Sequence, residues 1–587
     1  MSDDYFLGIN FSHDASVCVM HEGNIIFYQE GERLNHEKYT SEYNKILYNA
    51  FHHIKKCHKN PNIHICFTST IGHFNYLKIY YDVLTKHLTE IGFNNTFFYY
   101  VDHHDAHSSL SFYNSGFKES LCFSVDGSGF VVSAETHYYK QVEQVTKKTY
   151  NKTEYLLIGI SDNALHRRRD NIVLGLPSSK KESTVEYNMF DKYFKFVKGY
   201  TYFEYCKKIK NLINDNKKHS KKRLSYGVMF KCLSRWALKD MRGAGKVMGL
   251  SAYGKKNYNI VIDLFDEEIP QAIWGEYVWE WRKKLVKNIP AEDLAYKIQT
   301  ESVKAIIKYL EKIFAKYDCD NMCLSGGFFY NIIANYAIIK HFPDKNFYFE
   351  PNAGDSGVSV GAAKKIYHEI TDDKTIRPIQ TLYLGDQANY ERKLEEGEIE
   401  YNITPKEIAQ LIADRHVVAI YQGRAEAGPR ALGNRSILYD PRDPNGRDVV
   451  NTIKKREWYR PFAGTVMEEH QHEWFDMAGL NSSPFMMFAI ECQKEKRHLV
   501  PALQHNDGTS RIQTLNKEQN KNYYDLINEF YKLTGIPMVL NTSFNLAGDT
   551  MVDNMQDALW TCRNGNIPYL YCPERKMIID FTGRKNV

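Results

Sequence analysis

Long apolar runs are missing from this chain. No stretch of about 18 or more apolar residues occurs, so a membrane-spanning helix is not expected and no membrane partner is implied. The opening residues Met1 to Asp4 have neither the basic start nor the apolar stretch of a secretory leader, and they run directly into the strand-like Tyr5–Asn10. Cysteines are scattered without a paired framework. The closest pair, Cys319 and Cys323, has no second pair to complete a zinc knuckle. The odd total of 11 and the missing leader point to a reducing, cytoplasmic setting. A Gly-x-Ser-x-Gly elbow is also absent, and Asp126-Gly127-Ser128-Gly129 is a turn with no base beside it, which sets a serine hydrolase aside. Lys246 lies between glycines in Gly245-Lys246-Val247-Met248-Gly249 without the spacing of a phosphate-binding P-loop.

What is present is unevenly placed. The net charge is only +5 over 587 residues, yet 207–223 holds eight Lys/Arg against the single acid Asp215, and His166-Arg167-Arg168-Arg169 adds a second basic cluster. Such clustering is an electrostatic footprint for a polyanion, or else a solvated lysine-rich insert. The length calls for two or three domains. The start reads as strand, polar loop and hairpin: Tyr5–Asn10, Phe11 to Ser16, then Val17–Met20 and Ile25–Gln29 around Glu22-Gly23-Asn24. A weaker echo follows at Leu121–Val125, Asp126 to Gly129 and Phe130–Ser133. Val303, Ile306, Ile307, Leu310, Ile313 and Phe314 predict a helix over Glu301–Tyr317. It feeds a short strand and then Ser325-Gly326-Gly327 before a helix start at Asn331, a natural anion site because helix N-terminal amides point at phosphates. Residues 368–382 break the periodicity. Beyond them Thr404-Pro405-Lys406-Glu407 reads as a capped helix start, and Tyr523 to Leu533 as a helix stopped at Gly535 and Pro537.

Residues 422–436, Gln-Gly-Arg-Ala-Glu-Ala-Gly-Pro-Arg-Ala-Leu-Gly-Asn-Arg-Ser, set Arg424, Arg430 and Arg435 among three glycines beside the lone carboxylate Glu426. Glycine lets a backbone approach a ligand, and guanidinium clamps phosphate or carboxylate oxygens. Lys455, Arg456, Arg460, His505 and Arg511 add positive charge without a nucleophile, which suits phosphate chemistry. Asn541, Thr542, Ser543 and Asn545 offer neutral hydrogen bonds for a nucleotide. In the first half, His103 and His107 share a helix face, and Asp126 and Asp355 sit in glycine-flanked turns. Together they make a plausible divalent-metal set. Ser12-His13-Asp14 follows a strand end, either as a solvated turn or as a ligand contact with His13 as general base.

These blocks, with others at 8–16, 103–107, 124–129, 245–254, 324–335, 351–363, 455–463, 505–513 and 541–548, resemble the carbamoyltransferase family that includes nodulation protein U and the antibiotic O-carbamoyltransferases. The resemblance implies a mixed α/β fold: a duplicated actin-like, sugar-kinase-type domain over 1–372, elaborated around 140–240, followed by a YrdC-like α/β domain over 373–587. It implies ATP and carbamoyl phosphate as co-substrates, Mg(II) with the ATP, and an iron, Fe(II), held by the histidine motif and the aspartates. A YrdC-like domain would form carbamoyl-adenylate on Arg424, Arg430, Arg435, Lys455, Arg460, His505, Arg511, Asn541, Thr542, Ser543 and Asn545. The first domain would then carbamoylate an acceptor hydroxyl, with His13, Asp14 and Lys246 at the transfer site and Ser12, Gly326, Gly327 and Asn331 against the nucleotide. Asp549-Thr550 stands where the family commonly has an acid and proline. The acceptor stays open between a small alcohol (a sugar, aminoglycoside or alkaloid) and a hydroxymethylated pyrimidine in DNA or RNA. The basic segments and interleaved aromatics favour nucleic acid, and the Lys/Asn/Tyr/Ile-rich composition suggests an AT-rich, virus-like genome acting in a host cytoplasm. A tRNA threonylcarbamoyl-transfer enzyme or a non-catalytic nucleic-acid-binding protein are the other readings, and a homo-oligomer is compatible with all of them.

Overall fold

The computed structural model describes residues 3–41, 43–68, 77–126, 134–140, 195–196, 223–224, 226–240, 243–258, 265–266, 271–273 and 289–584. The basic cluster at 166–169, all of 207–223 except Arg223, and most of 140–240 lie outside the described residues.

The first sheet is built on β1 (Asp4–Asn10), with β2 (Ser16–His21), β3 (Asn24–Glu30), β4 (Asn62–Thr68) and β5 (Asn95–Tyr100) in the order β3-β2-β1-β4-β5 and the short Lys195–Phe196 at the β5 edge. The expected hairpin is present: Glu22 and Gly23 both take positive φ, +48° and +79°, the backbone of a turn whose twist matches the flanking strands. β1 pairs antiparallel with β2 and parallel with β4, and it is buried on both faces. That is why it reads as an unbroken apolar run rather than an alternation. Tyr5, Leu7 and Ile9 join one core with Phe51 and Ile54, whereas Phe6 joins another with Val358, Val360 and Ala362.

Helix α1 (His103–Ser115) leads to a second sheet: β6 (Glu119–Val125) paired antiparallel with β7 (Ala134–Lys140). Helix α2 (Ala244–Ser251) and the long α3 (Ala291–Lys316) follow. Then come β8 (Asn321–Ser325), α4 (Ile332–His341), β9 (Asn346–Phe349) and α5 (Val358–Thr371). The sheet order is β9-β8-β6-β7, with β6, β8 and β9 parallel. A hairpin flanked by parallel strands thus occurs twice, the duplicated actin-like pattern. Helix α3 begins ten residues before the expected Glu301, because Glu292 and Asp293 favour its N-terminus and Leu294, Ala295 and Ile298 extend its apolar face. Between β8 and α4 a 3₁₀ turn, Gly327–Tyr330, intervenes, and Asn331 caps α4 by accepting from the Ala334 amide.

The remaining chain forms one ten-stranded mixed sheet. Its strands are β10 (Ile399–Asn402), β11 (Val418–Tyr421), β12 (Arg435–Tyr439), β13 (Ala463–Met467), β14 (Phe475–Asp476), β15 (Ala489–Cys492), β16 (Thr509–Leu515), β17 (Met538–Ser543), β18 (Tyr569–Cys572) and β19 (Met577–Asp580). They run in the order β10-β19-β18-β11-β12-β17-β13-β16-β15-β14. Thr404 and Glu407 make the expected capping box at the start of helix Pro405–Ala413. Asn541-Thr542-Ser543 closes strand β17. No helix among the described residues is long and apolar enough to cross a membrane.

Helix α5 is pressed onto β1 and against α1 by missing side chains. A Cβ on Gly8 would lie 1.8 Å from the Ser359 carbonyl oxygen, and one on Gly361 would lie 2.0 Å from that of Ala106. Backbone cannot yield as a side-chain tip would. Gly361→Ala is therefore expected to destabilise the protein by about 1–3 kcal/mol or more in denaturant unfolding. A change within about 0.5 kcal/mol, the range of an ordinary surface substitution, would show that the helices separate freely.

Candidate functional site

The close approach of α1 to the Asp355 turn brings four ligands to one point. His103 and His107, one turn apart on α1, are fully buried. Asp126 follows the end of β6, and Asp355 opens the 3₁₀ turn before α5. His103 Nε2 lies 3.4 Å from Asp126 Oδ2 and 3.4 Å from Asp355 Oδ1, and His107 Nε2 lies 3.5 Å from Asp355 Oδ1. One ligand atom from each residue falls within 4.8 Å of all the others. His107 Nδ1 meets Ser325 Oγ at 3.3 Å, which orients the ring with Nε2 facing the carboxylates. His107 Nε2 and Asp355 Oδ2 are buried without a hydrogen-bond partner. Burial alone would lower His103, but Asp355 and Asp126 beside it push it up to about 10. Burial would raise Asp355, yet His103 and His13 hold it well below the usual carboxylate range. Two buried imidazoles facing the buried Asp355 and the part-buried Asp126 fit a first-row divalent ion in donor type and number.

His13 stands at the edge of this cluster, half-exposed. Its Nδ1 lies 2.9 Å from Asp14 Oδ2 and its Nε2 lies 3.4 Å from Asp355 Oδ2. Asp355 pushes it up to about 9 against the opposing effect of burial, so the ring is charged at neutral pH while Asp355 stands uncompensated. Asn10 Nδ2 donates to the carbonyls of Asp14 and Asp355, both at 3.0 Å, stitching the His13 loop to the Asp355 turn. Ser12, placed against a nucleotide by the sequence reading, is buried and spends its hydroxyl on Asn10 Oδ1 at 2.7 Å. Gly326, at φ +94°, brings the turn against the Val125 backbone, and the Gly327 amide donates to Asp126 Oδ1 at 3.1 Å. The structure thus sets both glycines around a cluster ligand. Asn331 is committed to its cap and to Gln299.

A second constellation lies in the last sheet. Of the three loop arginines, two brace the loop itself. Arg435 is fully buried in β12, stacked over Tyr421 at 4.2 Å, and donates to the carbonyls of Gln422, Asn434 and Asp553. Arg424 donates to the carbonyls of Gly385 and Leu384. Glu426 gathers the amides of Leu432, Asn434 and Arg435 on one oxygen, at 2.7, 2.9 and 3.2 Å. Arg430 alone projects onward, over the Tyr330 ring at 5.7 Å, with its Nε buried and unpartnered. Its charge is felt by Arg511, which also feels Arg456 and Arg460, and Arg430 itself feels Arg460. Burial and the neighbouring guanidinium groups push Arg456 down to about 9 and Arg511 well below its ordinary value. A guanidinium keeps its proton at neutral pH, so this crowding is carried as strain that an anion would relieve. His505 is pushed down to about 4, first by burial and then by Arg511 against the pull of Asp507, and its Nε2 is buried without a partner.

Lys454, not the expected Lys455, completes this cradle. Lys455 is exposed at φ +51°, whereas Lys454 is buried and its Nζ donates to Asn545 Oδ1 at 2.7 Å, the Asn545 carbonyl at 3.0 Å and Ser543 Oγ at 3.2 Å. Burial and then Arg456 hold Lys454 well below the usual lysine range. Two adjacent lysines at a helix end carry no sequence signal that separates them, beyond the spacing of Lys454 two residues before Arg456. Asn541 lies in the sheet core, bonded to Thr465 Oγ1 and the Ala431 carbonyl, and Thr542 is buried beside it in β17. Lys246 lies at the edge of the cradle, sharing Glu457 with Arg460, which is 3.7 Å from that carboxylate. It is held by Asp240 at 2.8 Å and by Glu457, where α2 meets the last sheet.

Two measurements check this geometry. His103→Ala and Asp355→Asn are each expected to weaken Co(II) binding by about tenfold or more, since each removes one of four ligands. Unchanged affinity would remove the cluster as a metal site. The loop that carries Asp355 is anchored by Glu350, fully buried and pushed up to about 7 by burial, against donors from Asn114, the Asn352 amide and Tyr348. A carboxyl raised in the folded state contributes stability below its free value of 4.5, and loses it as pH climbs through about 7. Lys364, lowered to about 8 by burial, titrates above that window. The stability of wild type relative to Glu350→Gln should therefore fall by up to about 3 kcal/mol between pH 4.5 and 7, and a rise would contradict it.

Comparison with known proteins agrees with this layout. A family model described as carbamoyltransferase N-terminus matches residues 55–364, and one described as carbamoyltransferase C-terminus matches residues 409–577. The nodulation protein NolNO of Sinorhizobium fredii is 26% identical over 599 aligned positions, covering 94% of this chain and 77% of that protein. An uncharacterized protein of Methanocaldococcus jannaschii is 33% identical over 355 positions, and the match spans 56% of this chain and 57% of that protein's length. Full-length HypF in its phosphate- and nucleotide-bound form overlays with a TM-score of 0.38 at 15% identity, over 63% of this chain and 56% of that one, a likeness too slight to bear on the site. One family model spans more than half of the sequence and its companion covers most of the remainder, so the chain belongs to the carbamoyltransferase family.

Proposed function

We propose that the chain is an ATP-dependent O-carbamoyltransferase whose two units, 1–372 and 373–587, divide the reaction. The observation that carries this reading is the pairing of an uncompensated guanidinium–lysine cradle in the second unit with a four-ligand cluster, edged by His13, in the first. In the cradle, water hydrolyses carbamoyl phosphate to carbamate and phosphate, and a carbamate oxygen then bonds to the α-phosphorus of ATP, supplied with Mg(II), as pyrophosphate leaves. Arg430, Arg456, Arg460, Arg511 and Lys454 hold the phosphate oxygens and offset the charge that develops on them. His505, neutral and dry, lies at the side of the cradle.

The carbamoyl-adenylate then reaches the first unit. His103, His107, Asp126 and Asp355 would hold a divalent ion, Fe(II) in this proposal, which would supply Lewis-acid polarisation of a carbonyl. Asp14 holds a proton on His13 Nδ1, which directs Nε2 to take the acceptor's hydroxyl proton. The acceptor oxygen bonds to the carbamoyl carbon and AMP departs. A mixed anhydride must be kept from water, which favours a closed passage between the units.

We propose further that the acceptor is a hydroxymethyl group on a modified pyrimidine in DNA or RNA, presented unpaired or flipped. The basic runs 166–169 and 207–223, with aromatics between them, support this over a small-molecule alcohol. Retention on DNA that falls steeply with salt is expected, and salt-independent behaviour would favour the small alcohol.

Carbamoyl-phosphate-dependent exchange between ATP and labelled pyrophosphate separates the two halves. Arg430→Ala should lose about 10²-fold or more of this exchange. Asp355→Ala should keep the exchange and lose transfer to any acceptor. Equal exchange in wild type and Arg430→Ala would overturn the assignment of the cradle.

A further inference from the structure

Two separate connections tie the Arg430 loop to the turn that carries Asp355, and neither uses a residue to which the reaction gives a task other than Arg430 itself. The first runs through the buried pair Glu30 and Arg33. The Gly428 amide donates to Glu30 Oε1 at 2.9 Å, and Arg33 donates to the Gly428 carbonyl at 2.8 Å and through Nε to Glu30 Oε2 at 3.1 Å. Both side chains are 5% exposed. From Glu30 the contact passes to Tyr28, whose hydroxyl lies 2.8 Å from Glu30 Oε1 and 3.0 Å from the Ser356 carbonyl, and accepts from Asn352 Nδ2 at 3.0 Å. The second runs through Tyr330. Its ring lies under the Arg430 guanidinium and its carbonyl receives Arg430 at 3.4 Å. Its hydroxyl accepts from the Gly354 amide at 3.0 Å and reaches Asn352 Oδ1 at 3.4 Å.

Both connections end on residues 352–356, on either side of Asp355. The two loops also touch directly. Gly428 has φ +81°, and a Cβ there would sit 3.0 Å from Asn352 Oδ1. A Cβ on Gly354 would sit 3.0 Å from the Tyr330 ring. Burying the Glu30–Arg33 pair costs several kcal/mol of desolvation, and such a pair is a weak source of stability but a well-attested means of fixing one geometry.

We infer that anion occupancy of the cradle positions the Asp355 turn, with Tyr28 and Tyr330 as the positioning residues that transmit it. The inference rests on the proposed role of the cradle. An anion that draws in the free Nε of Arg430 pulls on Gly428 and on the Tyr330 ring together. Both report to the backbone that aims a cluster ligand. The cluster is then ordered when the cradle is loaded, and linkage requires the reverse as well.

Hydrogen exchange on the full chain in chelator, with inorganic pyrophosphate as the only addition, tests this without any metal or turnover. In wild type, pyrophosphate should slow exchange of the amides of 352–356 by about fivefold or more, together with those of 427–430 and 454–460. In Tyr28→Phe combined with Tyr330→Phe, protection at 454–460 should persist while that at 352–356 is lost. Each single variant should retain part of it, which keeps the test open if the double variant does not fold. Wild-type protection confined to 427–430 and 454–460 would overturn the coupling and leave the cradle standing. Protection at none of these segments would overturn the cradle reading, and the coupling with it.

Discussion

Several cations crowd together here, Lys454 buried and the arginines part-buried. Arg430, Arg456, Arg511 and Lys454 are held below their ordinary proton affinity by burial and by neighbouring cations, and Glu457, 3.7 Å from Arg460, and Asp549 do not offset the crowding. Taking charges out of water is costly unless they are paired. A fold that keeps such a group has to meet its counter-charge from outside. The remainder of the last sheet is arranged to hold that group open. Glu426 turns its loop inward on three amides, Arg424 and Arg435 are spent on carbonyls, and Ser543 and Asn545 grip Lys454.

The opposite imbalance sits in the first half. Asp126 and Asp355 face each other across His103 and His107, and with no ion between them their charge is met by protons on His103 and His13. One constellation wants phosphate and the other wants a cation. Glycines at 8 and 361 let α5 close on β1 and on α1, Gly354 admits the Tyr330 ring, and Gly428 lets its loop touch Asn352 beside the Asp355 turn. The architecture is set as much by side chains left out as by those put in.

Much of this was legible in the sequence for definite reasons. Strands buried on both faces, such as β1, show as apolar runs. His103 and His107 show their common face by helical spacing, and the Thr404–Glu407 box shows by its residue types. What stayed hidden depends on partners far away in the chain. Nothing in residues 422–436 separates an arginine spent on backbone carbonyls, like Arg424, from one whose Nε is buried without a partner, like Arg430. The choice between Lys454 and Lys455 is made by Ser543 and Asn545, roughly ninety residues on. Gly326 and Gly327 read as a phosphate cradle because strand–glycine–helix patterns often are one, yet a 3₁₀ turn here aims the Gly327 amide at Asp126. The basic stretches that favour a nucleic-acid acceptor are legible only as charge.

The most direct test of the central claim is the melting temperature of the metal-free protein with and without inorganic pyrophosphate, at matched ionic strength in chloride. A ligand bound only by the folded state stabilises in proportion to the logarithm of its excess over Kd. The account predicts that pyrophosphate raises Tm and that the rise largely disappears in Arg456→Ala. A Tm unmoved by pyrophosphate, or raised equally in wild type and Arg456→Ala, would contradict it.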